Sequence, residues 1–244
     1  MDSMETTKPV SIDDQKRMAA SIAIQFLHSG MTLGLGTGST IAHFIELLGL
    51  KLKSGELRDI SIVPTSENTA RSAENIGLKI TSLSAVAVLD LAIDGADEVD
   101  PSLNLIKGLG RALFREKLVE LHSRRFVVIV DQTKLVDRLG VKSPLPVEIV
   151  PFEAYTHVRE LNTLDLRAEL WLNPDHSPVL TDNGNYLALC YFDHLQPAGI
   201  ADPYLLAQQI KSRTGIVEHG LFLDMADQVL VAHTEGVKIL ERSS

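Results

Sequence analysis

The chain has 244 residues, of which 45% are hydrophobic and 23% are charged, so its composition is that of a globular protein and excludes disorder as the main state. This length corresponds to one large domain, or to a large and a small one. Because 32 acidic residues oppose 23 basic ones, the formal net charge is -9, which disfavours nucleic acid and anionic membrane surfaces as partners.

Three further features of the sequence bear on the cellular compartment of the protein. Residues 1–9 contain Asp2 and Glu5 but no apolar run, so we expect no secretory signal there. No segment approaches the roughly 20 apolar residues that a membrane-spanning helix needs. The single cysteine, Cys190, cannot form an intramolecular disulfide, and its apolar surroundings in the sequence indicate a buried thiol. Together these features predict a soluble, cytoplasmic protein.

In the first half of the chain, predicted strands alternate with predicted helices. A capping box at residues 11–14 begins a helix that ends at Gly30. A strand at 31–35 then leads through a glycine turn into a helix that ends at Gly49. The segments that follow are a strand at 60–63, a helix at 67–76, a strand at 86–93, a helix at 115–122 and a strand at 126–130.

Strands that are apolar on both faces and separated by helices are typical of a mostly parallel sheet covered on both sides. The pattern therefore predicts an α/β fold with a Rossmann-like sheet and helices on both faces.

After about residue 140 the pattern changes to that of a smaller α+β unit. Residues 143–147 contain two prolines and are predicted to form a connector. The Asp-Asn-Gly-Asn segment at 182–185, between alternating apolar residues, is typical of a hairpin turn. The other predicted elements are a helix at 153–161, strands at 166–172 and 178–192, a helix at 203–212 and a strand at 227–232.

This change of pattern also predicts two domains. We assign residues 1–139 and 220–244 to a main α/β domain, and residues 140–219 to a smaller α+β domain inserted before the chain returns to the main sheet.

The first candidate for chemistry is the Gly-Leu-Gly-Thr-Gly-Ser-Thr segment at residues 34–40, between a strand and a helix. Glycines let an oxyanion approach the backbone, while helix N-terminal amides and the hydroxyls of Thr37, Ser39 and Thr40 can donate hydrogen bonds to it. The segment matches neither the dinucleotide-binding fingerprint nor the P-loop. It therefore indicates a phosphate site, with a merely tight turn as the alternative.

The second candidate is Asp-Gly-Ala-Asp-Glu-Val-Asp at residues 94–100, directly after a predicted strand. Ligands of open α/β sheets bind at the carboxyl ends of the strands, so Asp94 and Asp97 can accept hydrogen bonds from sugar hydroxyls there. A solvated acidic turn and a divalent-metal site are the alternatives, although the spacing of a calcium loop is missing. The eight histidines form no i, i+3 or i, i+4 pair, which disfavours a zinc site.

The third candidate is the glycine loop and helix start at residues 107–117. Lys107 can stabilise negative charge that develops on an oxygen, and Glu116 can move a proton between carbons. The alternative for Glu116, which is flanked by two basic residues, is a solvated place on the surface of a helix. Lys16 and Lys134 can also reach an anionic substrate, or are ordinary surface lysines.

Taken together, the three segments resemble those of the A-type ribose-5-phosphate isomerases, which share Gly-x-Gly-Thr-Gly-Ser-Thr, Asp-Gly-Ala-Asp-Glu and Lys-Gly-x-Gly-x-Ala-x-x-x-Glu-Lys in this order. The similarity covers nearly the whole chain and includes residues 13–16, 131–134, 144–148, 179–185 and 236–238. It implies an aldose-ketose isomerase of the pentose phosphate pathway that acts on a small phosphosugar. It also implies a homodimer or homotetramer that uses no metal and no organic cofactor.

The resemblance assigns roles to individual residues. Glu116 matches the proton acceptor, which takes the C2 proton of ribose 5-phosphate to give an enediolate and returns it to C1. Lys107 stabilises the oxygen, and Asp94 and Asp97 assist ring opening. The implied substrate-binding residues are Lys16, Thr37, Gly38, Ser39, Thr40, Asp94, Gly95, Ala96, Asp97, Lys107, Gly108, Leu109, Gly110 and Lys134.

The pKa of Glu116 depends on opposing influences. Burial and the nearby Asp94 and Asp97 are expected to raise it, whereas Lys107 is expected to lower it. The sequence leaves the balance between them open.

The third segment departs from the family pattern at three positions. Leu109 stands in the middle of a loop that commonly reads Lys-Gly-Gly-Gly or Lys-Gly-Arg-Gly, bulky Arg111 follows that loop, and Phe114 replaces a smaller side chain. A leucine at positive φ is strained, so the loop rearranges if its middle position needs such a conformation. Since none of the three replaces Lys107 or Glu116, we expect the same reaction with altered turnover and substrate affinity.

Three alternatives stay open. An aminosugar-phosphate isomerase-deaminase on a related fold would need a histidine near the motifs, and only His43 lies near one. A sugar-phosphate-sensing domain would need an attached DNA-binding segment, and only about ten residues precede the first helix. A catalytically impaired paralogue is favoured by Leu109 and Arg111.

Overall fold

The computed structural model describes residues 10–242, so the expectation of no secretory signal at residues 1–9 falls outside the described chain. The helices of this part are α1 (Ile12–Ala23), α2 (Ser39–Lys53), α3 (Glu67–Asn75), α4 (Leu113–Leu121), α5 (Ala154–Leu161) and α6 (Pro203–Lys211). None of them is long and apolar enough to cross a membrane.

In the described residues, strands alternate with helices in the first half of the chain, whereas strands predominate in the second half. They are β1 (Thr32–Leu35), β2 (Ser61–Pro64), β3 (Lys79–Ile80), β4 (Leu91–Asp94), β5 (Glu98–Val99), β6 (Leu105–Ile106), β7 (Phe126–Asp131), β8 (Leu145–Ile149), β9 (Arg167–Leu170), β10 (Tyr186–Tyr191), β11 (Ile216–His219), β12 (Leu221–Phe222), β13 (Gln228–His233) and β14 (Gly236–Glu241).

The central sheet has the strand order β14-β13-β7-β4-β1-β2-β3. Its neighbouring strands are parallel except for the edge pair β13 and β14, which is antiparallel. From β1 the chain first adds β2 and β3 on one side, and then crosses to add β4 on the other. The carboxyl ends of β1 and β4 therefore lie side by side at the switch point where open α/β sheets bind ligands.

Both faces of this sheet are buried because successive side chains of β7 enter different cores. Val127 and Ile129 pack in a core that includes residues of α1 and α2. Val128 and Val130 pack in a second core on the opposite face, which includes Leu113 of α4 and residues of the smaller sheets. The predicted α/β fold with a mostly parallel, doubly covered sheet is confirmed.

The helix boundaries follow from local interactions. In the predicted capping box, the Asp14 amide donates to Ser11 Oγ over 3.1 Å and the Ser11 amide donates to Asp14 Oδ2 over 3.2 Å, so α1 begins as expected. The predicted end of α2 at Gly49 is wrong, since the helix continues to Lys53. Gly49 therefore lies inside the helix, where a Cβ would be 3.4 Å from Ile76 after α3, an ordinary contact distance.

The second half contributes a four-stranded sheet in the order β11-β8-β10-β9. The prediction of a connector at 143–147 is wrong, because Leu145–Ile149 is an inner strand that pairs with both β10 and β11. Pro146 lacks an amide donor but keeps its acceptor, and its carbonyl receives the Gly220 amide at 2.8 Å. Cys190 lies in β10 and is buried, as predicted.

The hairpin turn predicted at 182–185 is confirmed. The Thr181 amide donates to the Asn185 carbonyl over 2.9 Å, and Gly184 adopts a φ of +76°. The carboxylate of buried Glu148 accepts hydrogen bonds from Thr181 Oγ1 at 3.0 Å and from Asn185 Nδ2 at 2.8 Å. Glu148 thus fixes the conformation of the turn.

A small sheet in the order β12-β6-β5, which the sequence pattern did not predict, is formed by residues before and after the smaller lobe. All strands of the four-stranded sheet fall between residues 140 and 219, and the described strands of the central sheet fall outside that range. The assignment of 1–139 and 220–244 to one domain, and of 140–219 to another, stays a prediction.

Buried Glu98 of β5 fixes the segment through which the chain enters the smaller lobe. Its carboxylate accepts hydrogen bonds from the backbone amides of Gly140 and Lys142, both at 2.6 Å, and of Ser143 at 2.5 Å. Three donors converge on one buried anion, so replacing the acceptor leaves them unpaired.

We expect Glu98→Gln to lower the free energy of unfolding by about 2 to 3 kcal/mol, because an amide group turns one acceptor into a donor that faces buried N–H groups. Urea unfolding measures this change. The control Glu169→Gln, on the half-exposed face of β9, should change stability by less than about 0.5 kcal/mol. Equal stability of the two variants would contradict the proposed anchoring by Glu98.

Candidate active site

The loop after β1 approaches the end of β4 so closely that a side chain would not fit between them. A Cβ at Gly36 would lie 1.9 Å from Asp94 Cγ. The amides of Thr37 and Gly95 donate to Asp94 Oδ1 over 3.1 Å and 2.7 Å. The two amides hold the Asp94 carboxylate in one orientation.

Lys107 lies at the centre of three buried carboxyl groups. Its Nζ is 2.8 Å from Asp94 Oδ2, 3.5 Å from Glu116 Oε2 and 3.5 Å from Glu120 Oε1, and it donates to the Gly95 carbonyl over 2.6 Å. Burial by itself lowers the pKa of Lys107, but the three carboxyl groups outweigh it and raise the pKa above its usual value. The ammonium group therefore stays charged.

The backbone of Lys107 is held by residues far downstream in the chain. Its amide donates to the Gly220 carbonyl over 2.9 Å, and a Cβ at Gly220 would lie 2.1 Å from the Lys107 carbonyl oxygen. The ring of Phe222, two residues later, has its centroid 5.4 Å from Lys107 Nζ. The pairing of β6 with β12 thus fixes both the backbone and the side chain of Lys107.

Glu116 lies in the first turn of α4 and is only 3% exposed, so the alternative of a solvated surface residue is wrong. Burial raises the pKa of Glu116 to about 8; Lys107 acts against this rise, whereas Asp94 and Asp97 add to it. The balance that the sequence left open is therefore decided by burial. Such a carboxyl group can release and accept a proton near neutral pH.

A cleft of about 140 Å³ brings most of the predicted site residues together. It is lined by Lys16, Thr37, Gly38, Ser39, Thr40, Gly95, Ala96, Asp97, Lys107, Gly108, Gly110, Glu116 and Lys134. Of the predicted residues, Asp94 and Leu109 are not part of this lining. Asp94 contacts Lys107 instead, and the Leu109 amide donates to Asp97 Oδ2 over 3.0 Å.

One part of the cleft has the character of an anion site. Ser39 and Thr40 begin α2, whose first amides have no partner within the helix. Lys16 of α1 reaches the same place, with Nζ donating to Ser39 Oγ over 2.9 Å. The Thr37 hydroxyl is turned away to Thr65 and Ser66, at 2.8 Å and 2.9 Å, so it serves the loop rather than the anion site.

Asp97 and Lys134 line the rest of the cleft. Burial raises the pKa of Asp97, against the Leu109 amide, Lys107 and Lys134, which lower it. Within residues 10–242, no group of three or more His, Cys, Asp or Glu side chains is arranged to hold a metal ion. Where three carboxyl groups do converge, the Lys107 ammonium occupies the centre.

Comparison with known proteins assigns the family. Residues 61–236 match the family model of ribose 5-phosphate isomerase A (phosphoriboisomerase A). The chain is also 44% identical over 234 residues to ribose-5-phosphate isomerase A of Pyrococcus horikoshii, an alignment that covers 96% of this chain and 100% of that protein. The chain belongs to the ribose 5-phosphate isomerase A family. The resemblance inferred from the three sequence segments is thereby confirmed.

Other members of the family agree in sequence and in fold. Ribose-5-phosphate isomerase A of Roseiflexus castenholzii is 46% identical over 228 residues, which covers 93% of this chain and 94% of that protein. A D-ribose-5-phosphate isomerase solved in complex with phospho-erythronic acid superposes with a TM-score of 0.90 at 45% identity, over 95% of this chain and 100% of the other. The enzyme of Methanocaldococcus jannaschii gives 0.88 at 37% identity, with the same two coverages.

The departures from the ribose 5-phosphate isomerase A pattern can now be located. The strain expected at Leu109 falls elsewhere, because the positive φ angles of the loop are +113° at Gly108 and +66° at Arg111. The Arg111 guanidinium lies 5.2 Å from the ring centroid of Trp171 in the smaller lobe, a stacking contact that supports this conformation. Phe114 is partly buried against the second core.

Sequence reasoning missed Glu120, Gly220 and Phe222. The signal for Glu120 was its position one turn after Glu116, since residues four apart lie on the same face of a helix. Nothing in the sequence alone brings Gly220 or Phe222 to Lys107, because that contact arises only when β12 pairs with β6.

Proposed function

We propose that this protein is an aldose-ketose isomerase that interconverts D-ribose 5-phosphate and D-ribulose 5-phosphate through an enediolate. One observation carries the proposal: the Glu116 carboxyl and the Lys107 ammonium group are buried, 3.5 Å apart, and line the same cleft. A proton acceptor and a fixed cation side by side are what proton transfer next to a carbonyl group needs. Membership in the ribose 5-phosphate isomerase A family supports the choice of substrate.

The phosphate group binds at the start of α2 in this proposal. The amides around Ser39 and Thr40 and the Lys16 ammonium group supply hydrogen-bond donors and positive charge there. A phosphate held at this place converts binding energy into orientation of the sugar carbons towards the charged cluster.

The residues of the cluster divide the chemistry. Asp97 lines the cleft, and burial raises the pKa of its carboxyl group, so we assign ring opening to it. Asp94 has its two oxygens directed at Lys107 and at two backbone amides, so it orients the ammonium group. These assignments give the two aspartates different roles.

The proton moves from C2 of the open aldose to Glu116. The electron pair of the C2–H bond forms the C1–C2 double bond, and O1 becomes an oxyanion beside Lys107. Glu116 returns the proton to C1, O2 becomes the ketose carbonyl oxygen, and the O2 proton is transferred to O1. One carboxylate therefore serves both carbons, and no redox partner takes part.

Further parts of the proposal rest on the family. We place the reaction in the non-oxidative branch of the pentose phosphate pathway, in the cytoplasm, in a homodimer or homotetramer without metal or organic cofactor. The alternative of an isomerase-deaminase has no support in the site, since His43 is paired with Asp13 at 2.9 Å and does not line the cleft.

Glu116→Gln should abolish ribulose 5-phosphate formation, by about 1,000-fold or more in kcat, because the amide cannot accept the C2 proton. Ketose formation from ribose 5-phosphate, followed with a divalent-metal chelator present, measures this. The control Glu74→Gln, on the exposed side of α3, should keep wild-type activity, and the chelator should not inhibit the wild type. Retained activity of the Glu116 variant would remove this residue from its assigned role.

The pH dependence of kcat/KM should reflect the ionisation of Glu116. Because its pKa is raised to about 8, the carboxyl group is protonated and inactive as a base below that pH. We expect kcat/KM to rise about tenfold per pH unit below this value and to level off above it. A profile that is flat between about pH 6 and pH 9 would contradict a buried Glu116 base.

Lys16→Ala should raise KM about 10- to 100-fold while kcat changes less than about threefold, because a charge-assisted bond to the phosphate is lost. Steady-state kinetics with ribose 5-phosphate separate the two constants. The control Lys51→Ala removes an exposed lysine of α2 that pairs with Glu56 and should leave both unchanged. A loss confined to kcat would show that Lys16 acts elsewhere than on the phosphate.

A further inference from the structure

Glu120 is a buried carboxyl group that the proposed reaction does not use. It lies one turn after Glu116 on α4, its side chain is 1% exposed, and it is not part of the cleft lining. Within the described chain neither of its carboxyl oxygens has a hydrogen-bond partner. An unpaired anion at such a place would be strongly destabilising, so its protonation state needs an explanation.

The charges around Lys107 show that one carboxyl group must hold a proton. If Asp94, Glu116 and Glu120 were all ionised, three negative charges would face one positive charge in a buried site. Low dielectric makes such an excess costly, and a proton on one member relieves it.

The environments of the three groups identify that member. Asp94 accepts two backbone amides and lies 2.8 Å from Lys107 Nζ, so it has more compensating contacts than the other two carboxyl groups. Glu116 and Glu120 each lie 3.5 Å from Lys107 Nζ, but Glu116 lines the cleft, whereas Glu120 lies outside the lining and both of its oxygens are unpaired. Burial raises the pKa of Glu120 well above its usual value, and Asp94 and Glu116 add to the rise against the opposing effect of Lys107.

A proton on Glu120 also completes the hydrogen bonding of its neighbour. Asp94 Oδ2 is buried and, although close to Lys107 Nζ, lacks a hydrogen bond of good geometry. Two carboxylates cannot bond to each other, but a carboxylic acid donates to a carboxylate. Asp94 Oδ2 and Glu120 Oε1 lie 2.8 Å and 3.5 Å from the same atom, Lys107 Nζ, so the two unpaired carboxyl oxygens converge on one place and a proton on Glu120 supplies the missing donor.

We propose that Glu120 is a positioning residue that stays a neutral carboxylic acid at neutral pH, donates a hydrogen bond to Asp94, and so holds the Asp94–Lys107 pair without adding negative charge beside Glu116. When Glu116 is ionised and ready to act as the base, the cluster of Lys107, Asp94 and Glu116 then carries a charge of -1, which becomes zero when Glu116 takes the substrate proton. An anionic Glu120 would make Glu116 keep its proton to higher pH and leave less base available. The inference rests on the proposed role of Glu116.

Two substitutions of Glu120 distinguish a neutral carboxylic acid at this position from an anion. Glu120→Gln keeps an uncharged donor of the same shape, so kcat should stay within about threefold of wild type. Glu120→Leu keeps the volume but has no donor, so kcat should fall about tenfold or more with KM within about threefold. Equal activity of both variants and the wild type, or equal loss in both, would overturn the proposal.

The fall of activity at alkaline pH is a readout that a merely structural role of Glu120 would not change. Beyond the plateau that follows the ionisation of Glu116, wild-type activity should fall at the more alkaline pH where Glu120 ionises, and Glu120→Gln should lack this fall. Lys107 cannot produce it, since its pKa is raised further. Lys117 on the same helix has a pKa lowered by burial, so Lys117→Gln is the control and should keep the fall. Its persistence in Glu120→Gln would overturn the proposal.

Infrared spectroscopy tests the proton itself without any activity. In the Glu116→Gln background near neutral pH, the absorption band of a protonated carboxyl group should be present, and adding Glu120→Gln should remove it. An unchanged band would place the proton on another residue and overturn the inference. Because this comparison uses inactive protein, its outcome is independent of the test of Glu116 as the base.

Discussion

The ammonium group of Lys107 is buried against the carboxyl groups of Asp94, Glu116 and Glu120, and the rest of the site depends on this interaction. One cation cannot neutralise three anions, so the cluster is balanced only by protons. Burial raises the pKa of Glu116 to about 8, with Asp94 and Asp97 adding to the rise and Lys107 opposing it. A group that would be a permanently ionised surface carboxylate elsewhere thereby becomes able to exchange a proton in the range where enzymes work.

The fold serves this cluster through close backbone approaches. The switch point of the central sheet brings the loop after β1 against Asp94, which is possible because Gly36 has no side chain. The pairing of β6 with β12 brings Gly220 against the Lys107 carbonyl group, which is possible because Gly220 also has no side chain. The four-stranded sheet supports the site as well, since Pro146 of β8 accepts the Gly220 amide at 2.8 Å.

The sequence predicts the parts of this site that are contiguous in the chain. Three short segments were enough to indicate the family and the residues that line the cleft, because each segment carries its own turn or helix start. The alternation of apolar strands with helices indicated the fold class. The prediction of a connector at 143–147 was wrong, because the neighbouring strands accommodate the absence of an amide hydrogen at Pro146. Only the tertiary structure shows this. The contacts of Glu120, Gly220 and Phe222 with Lys107 escaped prediction for the same reason, as did the dominance of burial over charge at Glu116.

The central claim is that Glu116 carries the proton between the two carbons. It is tested most directly by incubating the enzyme with ribose 5-phosphate in deuterium oxide for many turnovers and following deuterium at C1 of the ketose and C2 of the aldose by NMR. The account predicts incorporation at both carbons with the wild type and none over the same time with Glu116→Gln. Incorporation by Glu116→Gln equal to that of the wild type would contradict it.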